Sequence, residues 1–249
     1  MSGHSKWSQI KRQKGVADVK RGAAFTKAGR AITIAARQAG GNPETNFKLR
    51  LAIDAARSIN MPKENIDRAI ARGAGTKEGS ALEEITYEGF GPVGVAIMVE
   101  TVTDNRSRTT QEVRSVFERS GGRLSSPGSV AHIFSQIGEV SIKLKEGASD
   151  EVLLVAADSG ADDIDLSADS AIVYCNPAKI EDVKRALVEA GLEIIEAGIS
   201  RKPSSTINIS DEATANSIIS LMNKLEDLDD VQKVYANFDI PDEIINKSF

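Results

Sequence analysis

The order of strands and helices after residue 80 restricts the fold of this chain more than any other feature. A complete β-α-β-β-α-β run lies between residues 138 and 200, with β-branched segments as strands and apolar residues at helical spacing between them. The predicted strands are Gly138–Leu144, Asp163–Leu166, Ala171–Asn176 and Glu193–Ser200, and the predicted helices span about 150–159 and 178–190. This order is that of a ferredoxin-like α+β domain.

A second set of strand and helix patterns flanks this run on both sides. Its predicted strands are Val93–Val102, Ser129–Phe134, Thr206–Ile209 and Val231–Phe238, with helices after Asp104 or Asn105 and over Asp211–Leu225. The two halves predict a second, discontinuous ferredoxin-like domain, 80–134 and 205–249, with 135–204 inserted as a domain of its own. The alternation also allows one continuous sheet. Insertion is favoured because each half closes on its own and Arg201-Lys202-Pro203 is typical of a return linker.

The first 80 residues show a helical period instead. Lys20–Ala39 carries apolar residues on one arc and cations on roughly the opposite arc, and Gly40-Gly41 ends it. Asn42-Pro43 predicts the start of a second helix, and a short third helix spans about Lys63–Arg72. The predicted fold class is therefore α+β, with an N-terminal three-helix domain (1–79, basic, with an N-terminal tail) followed by two ferredoxin-like domains, one inserted in the other.

The charge of the chain is unevenly distributed. The net charge is -5, yet residues 1–80 hold 16 basic and 6 acidic side chains, whereas residues 81–249 hold 15 basic and 30 acidic ones. Nine of the basic residues lie in the first 38 positions, where Asp18 is the only acid. Such asymmetry is typical of a polyanion-binding end joined to a solubilising body. The alternative is a solvated basic helix surface.

The basic N-terminal segment is the strongest candidate for a nucleic-acid contact. Its lysines and arginines would neutralise phosphates with little sequence preference. Gly3 and Ser5 would permit close backbone approach, and Trp7 would stack on an unpaired base, unless it anchors the tail to the core instead. His4 suits a hydrogen bond or phosphate contact better than metal ligation, because the only other histidine is His132 and no cysteine cluster accompanies either.

A second phosphate contact is predicted at the start of the helix in TDNRSRTTQEVR. Asn105, Arg106 and Arg108 would lie where free amides and the helix dipole favour an anion, although an ordinary capped helix with surface arginines is the alternative. The candidate nucleic-acid-binding residues are Gly3, His4, Ser5, Lys6, Trp7, Lys11, Arg12, Lys14, Lys20, Arg21, Lys27, Arg30, Arg37, Arg106 and Arg108.

No motif predicts catalysis, a metal site, a cofactor or a small-molecule substrate. Gly89–Gly94 matches G-x-G-x-x-G, but it leads into a predicted strand instead of a helix, and Pro92 removes an amide donor. The segment from Asp163 imitates the start of a calcium loop, yet Ala168 and Tyr174 stand where glycine and glutamate are required. The chain has no P-loop, G-x-S-x-G or H-E-x-x-H motif.

Four segments have specific sequences: MSGHSKWSQIK, DVKRGAAFTKAGRAI, NMPKENIDRAI and YEGFGPVGVAIMVE, of which residues 3–7 are the most specific. These segments resemble the YebC family, and the resemblance runs over the whole chain. The resemblance implies a helical domain plus two α+β domains, nucleic-acid association, control of transcription or translation, and no enzyme activity. The family includes a mitochondrial translational activator, and the absence of a presequence before Gly3 predicts a bacterial member.

Two functions remain open within the nucleic-acid class. The first is a non-enzymatic regulator resembling YebC-type DNA-binding transcriptional regulators. The alternative is a translation factor on ribosomal or messenger RNA, with the ribosome as partner, which the lack of a clear helix-turn-helix pattern favours. A protein-interaction scaffold is the third class. No signal peptide or membrane-length apolar run is visible, and a single cysteine suits a reducing compartment, so we expect a cytoplasmic protein without a membrane partner.

Overall fold

The computed structural model describes residues 21–75, 82–144, 149–167, 169–241 and 244. The described residues form two compact units: Ser135–Lys202 is the inserted unit, and the described residues before and after it form the larger unit. Helices come first along the sequence and α+β structure follows, which confirms the predicted fold class.

The larger unit begins with three helices, α1 (Arg21–Ala39), α2 (Phe47–Ser58) and α3 (Lys63–Ala74). Their regularly spaced apolar residues form one core, made of Ile32, Ala35, Ala36, Leu49, Ile53, Ala56, Met61, Ile66 and Ala69. The helix start predicted from Asn42-Pro43 is wrong. Asn46 caps α2 instead, since its side-chain oxygen accepts from the Leu49 amide at 3.0 Å.

The first and third helices lie unusually close together. A Cβ atom at Gly73 would lie 2.2 Å from the carbonyl oxygen of Thr33, so only glycine fits there. The Thr33 hydroxyl, which lies 2.8 Å from the Gly29 carbonyl oxygen of its own helix, also lies 3.2 Å from the carbonyl oxygen of Ala69. These contacts fix the spacing of α1 and α3, and therefore the shape of any surface that they share.

The remaining elements combine two four-stranded sheets with four helices and one short strand pair. In chain order they are β1 (Glu83–Phe90), β2 (Ala96–Thr103), α4 (Arg106–Arg119), β3 (Arg123–Ser125), β4 (Phe134–Lys143), α5 (Ser149–Asp158), β5 (Asp163–Leu166), β6 (Ser170–Cys175), α6 (Ile180–Glu189), β7 (Glu193–Pro203), β8 (Ile207–Asn208), α7 (Glu212–Glu226), β9 (Val231–Ala236) and β10 (Phe238–Asp239).

The sheet of the larger unit has the strand order β3-β1-β2-β9, with antiparallel neighbours throughout. Residues of α4 and α7, among them Phe117 and Leu221, share one core with Ile97 and Val99 of β2 and with β9. A smaller cluster that includes Met98, whose side chain points away from those neighbours in β2, contains Val130 and Phe134. Both faces of the sheet are therefore covered.

Strand β1 is the main element that the sequence patterns miss. It occupies the position next to β2 at the centre of the sheet, but its first half is largely exposed and only Tyr87, Glu88 and Gly89 are buried. The predicted strand Thr206–Ile209 is reduced to β8, which pairs in parallel with β10 outside the main sheet. In a ferredoxin-like sheet the strand Thr206–Ile209 would lie beside β2, and β1 occupies that place instead.

The predicted strand Ser129–Phe134 is also wrong, because a buried carboxylate holds this segment in a different conformation. Glu88 accepts three backbone hydrogen bonds, from Gly128 at 2.7 Å, Val130 at 2.7 Å and Ala131 at 2.8 Å. Burial alone would raise the pKa of Glu88, but these donors lower it overall. The residues at 131–133, with His132 among them, form a 3-10 turn, and Phe134 begins β4.

The inserted unit has the strand order β5-β6-β4-β7, which is the order of a ferredoxin-like sheet. Its four strands and two helices confirm the six predicted elements, with shifts at their ends. Strand β6 is fully buried, and its apolar side chains share the interior with residues such as Val140, Val183 and Leu187. Local patterns therefore suffice to predict this unit.

The chain enters and leaves the inserted unit at neighbouring points of the larger unit. The backbone amide and the hydroxyl of Ser204 both donate to the carbonyl oxygen of Ile133, at 2.8 and 3.0 Å. The two ends are thus joined by hydrogen bonds that do not involve residues 135–202.

We predict that excising residues 135–202 leaves a folded larger unit. A short Gly-Ser loop between Phe134 and Pro203 would replace the insertion with little strain, because the flanking residues already meet. The shortened protein should unfold in one cooperative thermal transition, followed by circular dichroism, and retain its near-ultraviolet signal. Loss of cooperative unfolding would instead show that the core of the larger unit needs the inserted one.

Candidate nucleic-acid interface

The predicted tail residues lie outside the described residues. They are Gly3, His4, Ser5, Lys6, Trp7, Lys11, Arg12, Lys14 and Lys20. Arg21 opens α1, and only its backbone is described. The structure therefore places five of the predicted site residues by their side chains, and these are Lys27, Arg30, Arg37, Arg106 and Arg108.

The cations of α1 contact the α+β part of the larger unit. The Lys27 ammonium donates to the carbonyl oxygen of Glu226, the last residue of α7. The Arg37 guanidinium donates to the carbonyl oxygen of Leu82, just before β1, at 2.8 Å. The cationic side of α1 is thus a docking surface within the protein, and a direct role in nucleic-acid binding stays a prediction.

The strongest of these contacts is made by Asp230, in the turn between α7 and β9. Its side chain is 2% exposed, and both of its oxygens are bound. Arg30 lies 2.7 Å from Oδ1, and Arg108 lies 2.7 Å from Oδ2. The hydroxyls of Thr103 and Thr109 reach Oδ2 at 3.0 and 2.6 Å. One carboxylate therefore joins α1, the end of β2 and the start of α4.

The charge of this cluster is stable at neutral pH. Burial by itself would raise the pKa of Asp230, but hydrogen bonds from Arg108, Thr109 and Thr103, together with the charge of Arg30, lower it overall. Hydrogen bonds to Asp230 and Asp104 raise the pKa of Arg108. Asp230 and Arg108 are consequently ionised at neutral pH. No charged member is available to a ligand without breaking the cluster.

The patterns used to select candidate residues miss Asp230, although its surroundings carry a signal. Glu226, Asp227, Asp229 and Asp230 crowd the C-terminal end of α7, where the helix dipole favours cations. Such an unfavourable cluster indicates a cationic partner from elsewhere in the chain. That partner is Arg30, 200 positions away.

The two predicted arginines at the start of α4 differ in whether their side chains have partners. Asn105 caps the helix, since its side-chain oxygen accepts from the Arg108 backbone amide at 3.1 Å. The backbone amide of Asn105 donates to the Thr103 hydroxyl at 2.9 Å. Arg108 is engaged by Asp230 and Asp104. The Arg106 side chain is exposed, and its guanidinium has no hydrogen bond or ion pair within the described ranges, so it alone of the pair can meet a phosphate unchanged.

A cleft of about 450 Å³ lies beside this cluster, between α1, α3 and the ends of the first sheet strands. Among the residues that line it are Phe25, Arg30, Met61, Asn65, Arg68 and Arg72. Arg68 and Arg72 are exposed, lie one turn apart on α3, and have no partner in the part of the chain that the structure describes. Neither arginine is among the residues predicted from the sequence, although their spacing with Asn65 marks one helix face.

The other motifs give no sign of chemistry. The described residues contain no group of three or more histidine, cysteine or acidic side chains placed to hold a metal ion. Pro92–Gly94 forms a 3-10 turn that leads into β2. Cys175 is buried, and burial is the main cause that raises the pKa of its thiol to about 11. None of the described helices is both long and apolar enough to span a membrane.

We predict that Asp230→Asn lowers the free energy of unfolding by about 2 to 4 kcal/mol at pH 7, because two arginines lose a buried counter-charge. The pKa of Asp230 is lower in the folded than in the unfolded protein, so its contribution is present at neutral pH and is lost as the pH falls below about 4.

Urea denaturation of both proteins between pH 7 and pH 3 measures this effect. The gap between wild type and variant should narrow as the wild-type carboxylate becomes protonated. Asp229→Asn, at the exposed neighbouring position, is the matched control and should cost less than about 0.5 kcal/mol. A gap that stays constant down to pH 3 contradicts the ion-pair explanation.

Comparison with known proteins agrees with this architecture. The chain matches a model of the TACO1/YebC N-terminal domain over residues 5–76, and a model of the second and third domains of the same family over residues 82–238. A protein of Dictyoglomus thermophilum is 49% identical over 247 residues, covering 98% of both chains, and one of Herpetosiphon aurantiacus is 50% identical over 248 residues, covering 99% of this chain and 98% of the relative.

Both relatives are named probable transcriptional regulatory protein. The crystal structure of a conserved hypothetical protein of Aquifex aeolicus superposes with a TM-score of 0.85 at 47% identity, and covers 90% of this chain and 92% of that one. The family models and the relatives span nearly the whole chain, and on that basis the protein belongs to the TACO1/YebC family.

Proposed function

We propose that this protein is a non-enzymatic regulator of gene expression that acts in the cytoplasm and binds nucleic acid through its basic N-terminal part. The observation that carries the proposal is the charge of residues 1–80, which hold 16 basic and 6 acidic side chains beside a strongly acidic remainder. The name of the relatives, probable transcriptional regulatory protein, supports a regulatory role.

The contacts of α1 narrow the nucleic-acid surface. Lys27, Arg30 and Arg37 each contact protein groups, so binding through them would compete with folding contacts. The proposed surface therefore combines the tail up to Arg21 with the exposed Arg68 and Arg72 of α3. The acidic body should repel phosphates and so confine the polyanion to this end of the chain.

DNA-directed control of transcription is the first form of this function, and an RNA-directed role in translation is the second. Trp7 beside a row of cations favours an unpaired strand, which is more common in RNA. Sedimentation of lysate on a sucrose gradient, with and without RNase, separates the two. RNase-sensitive co-migration with ribosomal particles supports translation, and free protein that crosslinks to promoter DNA supports transcription.

We predict that replacing Lys6, Lys11, Arg12 and Lys14 with alanine weakens binding to all nucleic-acid sequences. Each lost phosphate contact removes about 0.7 from the slope of log K against log salt on a single strand, so the slope should flatten by up to about 3. Fluorescence anisotropy with a labelled oligonucleotide at several salt concentrations measures it.

The matched control replaces four exposed cations of the acidic remainder, namely Arg119, Lys143, Lys179 and Lys224. It removes the same charge and should leave the slope nearly unchanged. Equal flattening in both variants would mean that only net charge matters, which contradicts a localised interface.

We predict a different effect for Trp7→Ala. Stacking on an unpaired base contributes about 1 to 3 kcal/mol and releases no counterions, so affinity for single strands should fall while the salt slope stays the same. Binding and thermal unfolding are measured on the same preparation. A variant that melts earlier and binds normally at low temperature would show that Trp7 anchors the tail instead.

A further inference from the structure

We propose that the cleft between α1 and α3 binds one unpaired nucleotide of a single strand, with its base against Phe25 and its phosphates on Arg68 and Arg72. This inference rests on the proposed nucleic-acid function and adds a specific subsite to it. The ligand class is an unpaired nucleotide with its flanking phosphates, which a ribose or a deoxyribose strand can supply.

The phosphate contact rests on two guanidinium groups that no described residue engages. Arg68 and Arg72 are exposed at the rim of the cleft and without a partner among the described residues. Their spacing of four positions puts them on one face of α3, about 6 Å apart along the helix. That spacing suits successive phosphates of a strand or two oxygens of one phosphate, and arginine is well suited to either.

The base contact rests on the interior of the cleft. Phe25 is half-buried and Met61 is almost fully buried; both line the cleft, and both also pack in or against the core of the three helices. Asn65, also half-buried, supplies an amide that can both donate to and accept from a base edge. One aromatic, one apolar and one amide side chain suit the face and edge of an unpaired base, and a volume of about 450 Å³ lies in the usual range for small ligands.

The electrostatics of the cleft also favour an anion. Asp104, which lines the cleft, is neutralised by Arg108 at 2.9 Å. Arg30, which also lines the cleft, stays paired with Asp230, so the phosphate contact is left to Arg68 and Arg72. The close contact of Gly73 with Thr33 fixes the two cleft-forming helices. The site is therefore built in advance, which lowers the cost of binding.

An acidic peptide is the competing ligand for such arginines. It would use Arg68 and Arg72 but would gain little from stacking on Phe25. The two variants that distinguish these ligands are the double substitution Arg68→Ala/Arg72→Ala, and Phe25→Leu, which keeps an apolar side chain and removes the aromatic ring.

The experiment measures binding of the full chain to three fluorescent probes: a 12-residue oligouridylate, the matching deoxyribose strand and a 12-base-pair duplex. For a single strand, the double arginine variant should lose about tenfold or more in affinity and flatten the salt slope by about 1.4. Phe25→Leu should lose about fivefold to 100-fold with an unchanged slope. Tighter binding of the ribose or the deoxyribose strand identifies which of the two the cleft prefers, and either preference agrees with a nucleotide site in the cleft.

Arg114→Ala/Arg119→Ala on α4 is the charge-matched control and should bind as wild type. Thermal unfolding of each variant confirms that the fold is kept. As a direct readout, a 4-thiouridine probe should crosslink to peptides that contain residues 25–30 or 61–72, so the test does not depend on affinity alone.

Three outcomes would contradict the proposal that the cleft binds an unpaired nucleotide. The first is wild-type binding by both cleft variants while the tail variant loses affinity, which leaves the broader function intact. The second is a preference for the duplex. The third is a polyglutamate peptide that binds in an arginine-dependent way, with Phe25→Leu unaffected on every probe. Failure of the wild-type protein to bind any of the three nucleic acids would instead overturn the proposed function itself.

Discussion

The arrangement of the larger unit depends on the buried carboxylate of Asp230. A carboxylate that is 2% exposed is stable as an anion only if cations and hydrogen-bond donors surround it. Arg30 comes from α1 and Arg108 from α4, and each binds one of the two carboxylate oxygens. The helical segment is thus tied to the sheet by a requirement of charge pairing, in addition to the apolar cores on either side.

This pairing changes how the basic N-terminal region is interpreted. A helical wheel shows that Lys27, Arg30 and Arg37 share one side of α1, but it does not show what faces that side. In the structure that side meets carbonyl oxygens and a carboxylate of the acidic α+β part. The charge asymmetry of the sequence therefore serves two purposes: part of it joins the protein together, and only the remainder can attract a polyanion.

The fold could be predicted where local signals agree with the final packing. The inserted unit is the clearest case, because β-branched runs and amphipathic helices follow one another with short turns. The prediction errors occur where a contact between residues distant in the sequence determines the local structure. Strand β1 has glutamates in its exposed half and gives no strong alternation, and the turn at 131–133 exists because Glu88 binds three backbone amides some 40 positions away. Neither the pairing of β1 nor the hydrogen bonds of Glu88 leave a periodic pattern in the sequence.

For the candidate site, the sequence predicted the basic region but not which of its side chains are free, because distant contacts decide that as well. Composition locates an excess of cations, but whether an arginine is free depends on pairs such as Arg30 and Asp230, which are 200 positions apart. Once these pairs are known, the cleft follows from them. Arg108 binds Asp230 and Asp104 together, so the residue that secures the fold also neutralises the acidic edge of the cleft. The contact that removes Arg30 and Arg108 from the binding surface thereby makes the space beside Arg68 and Arg72 more attractive to an anion.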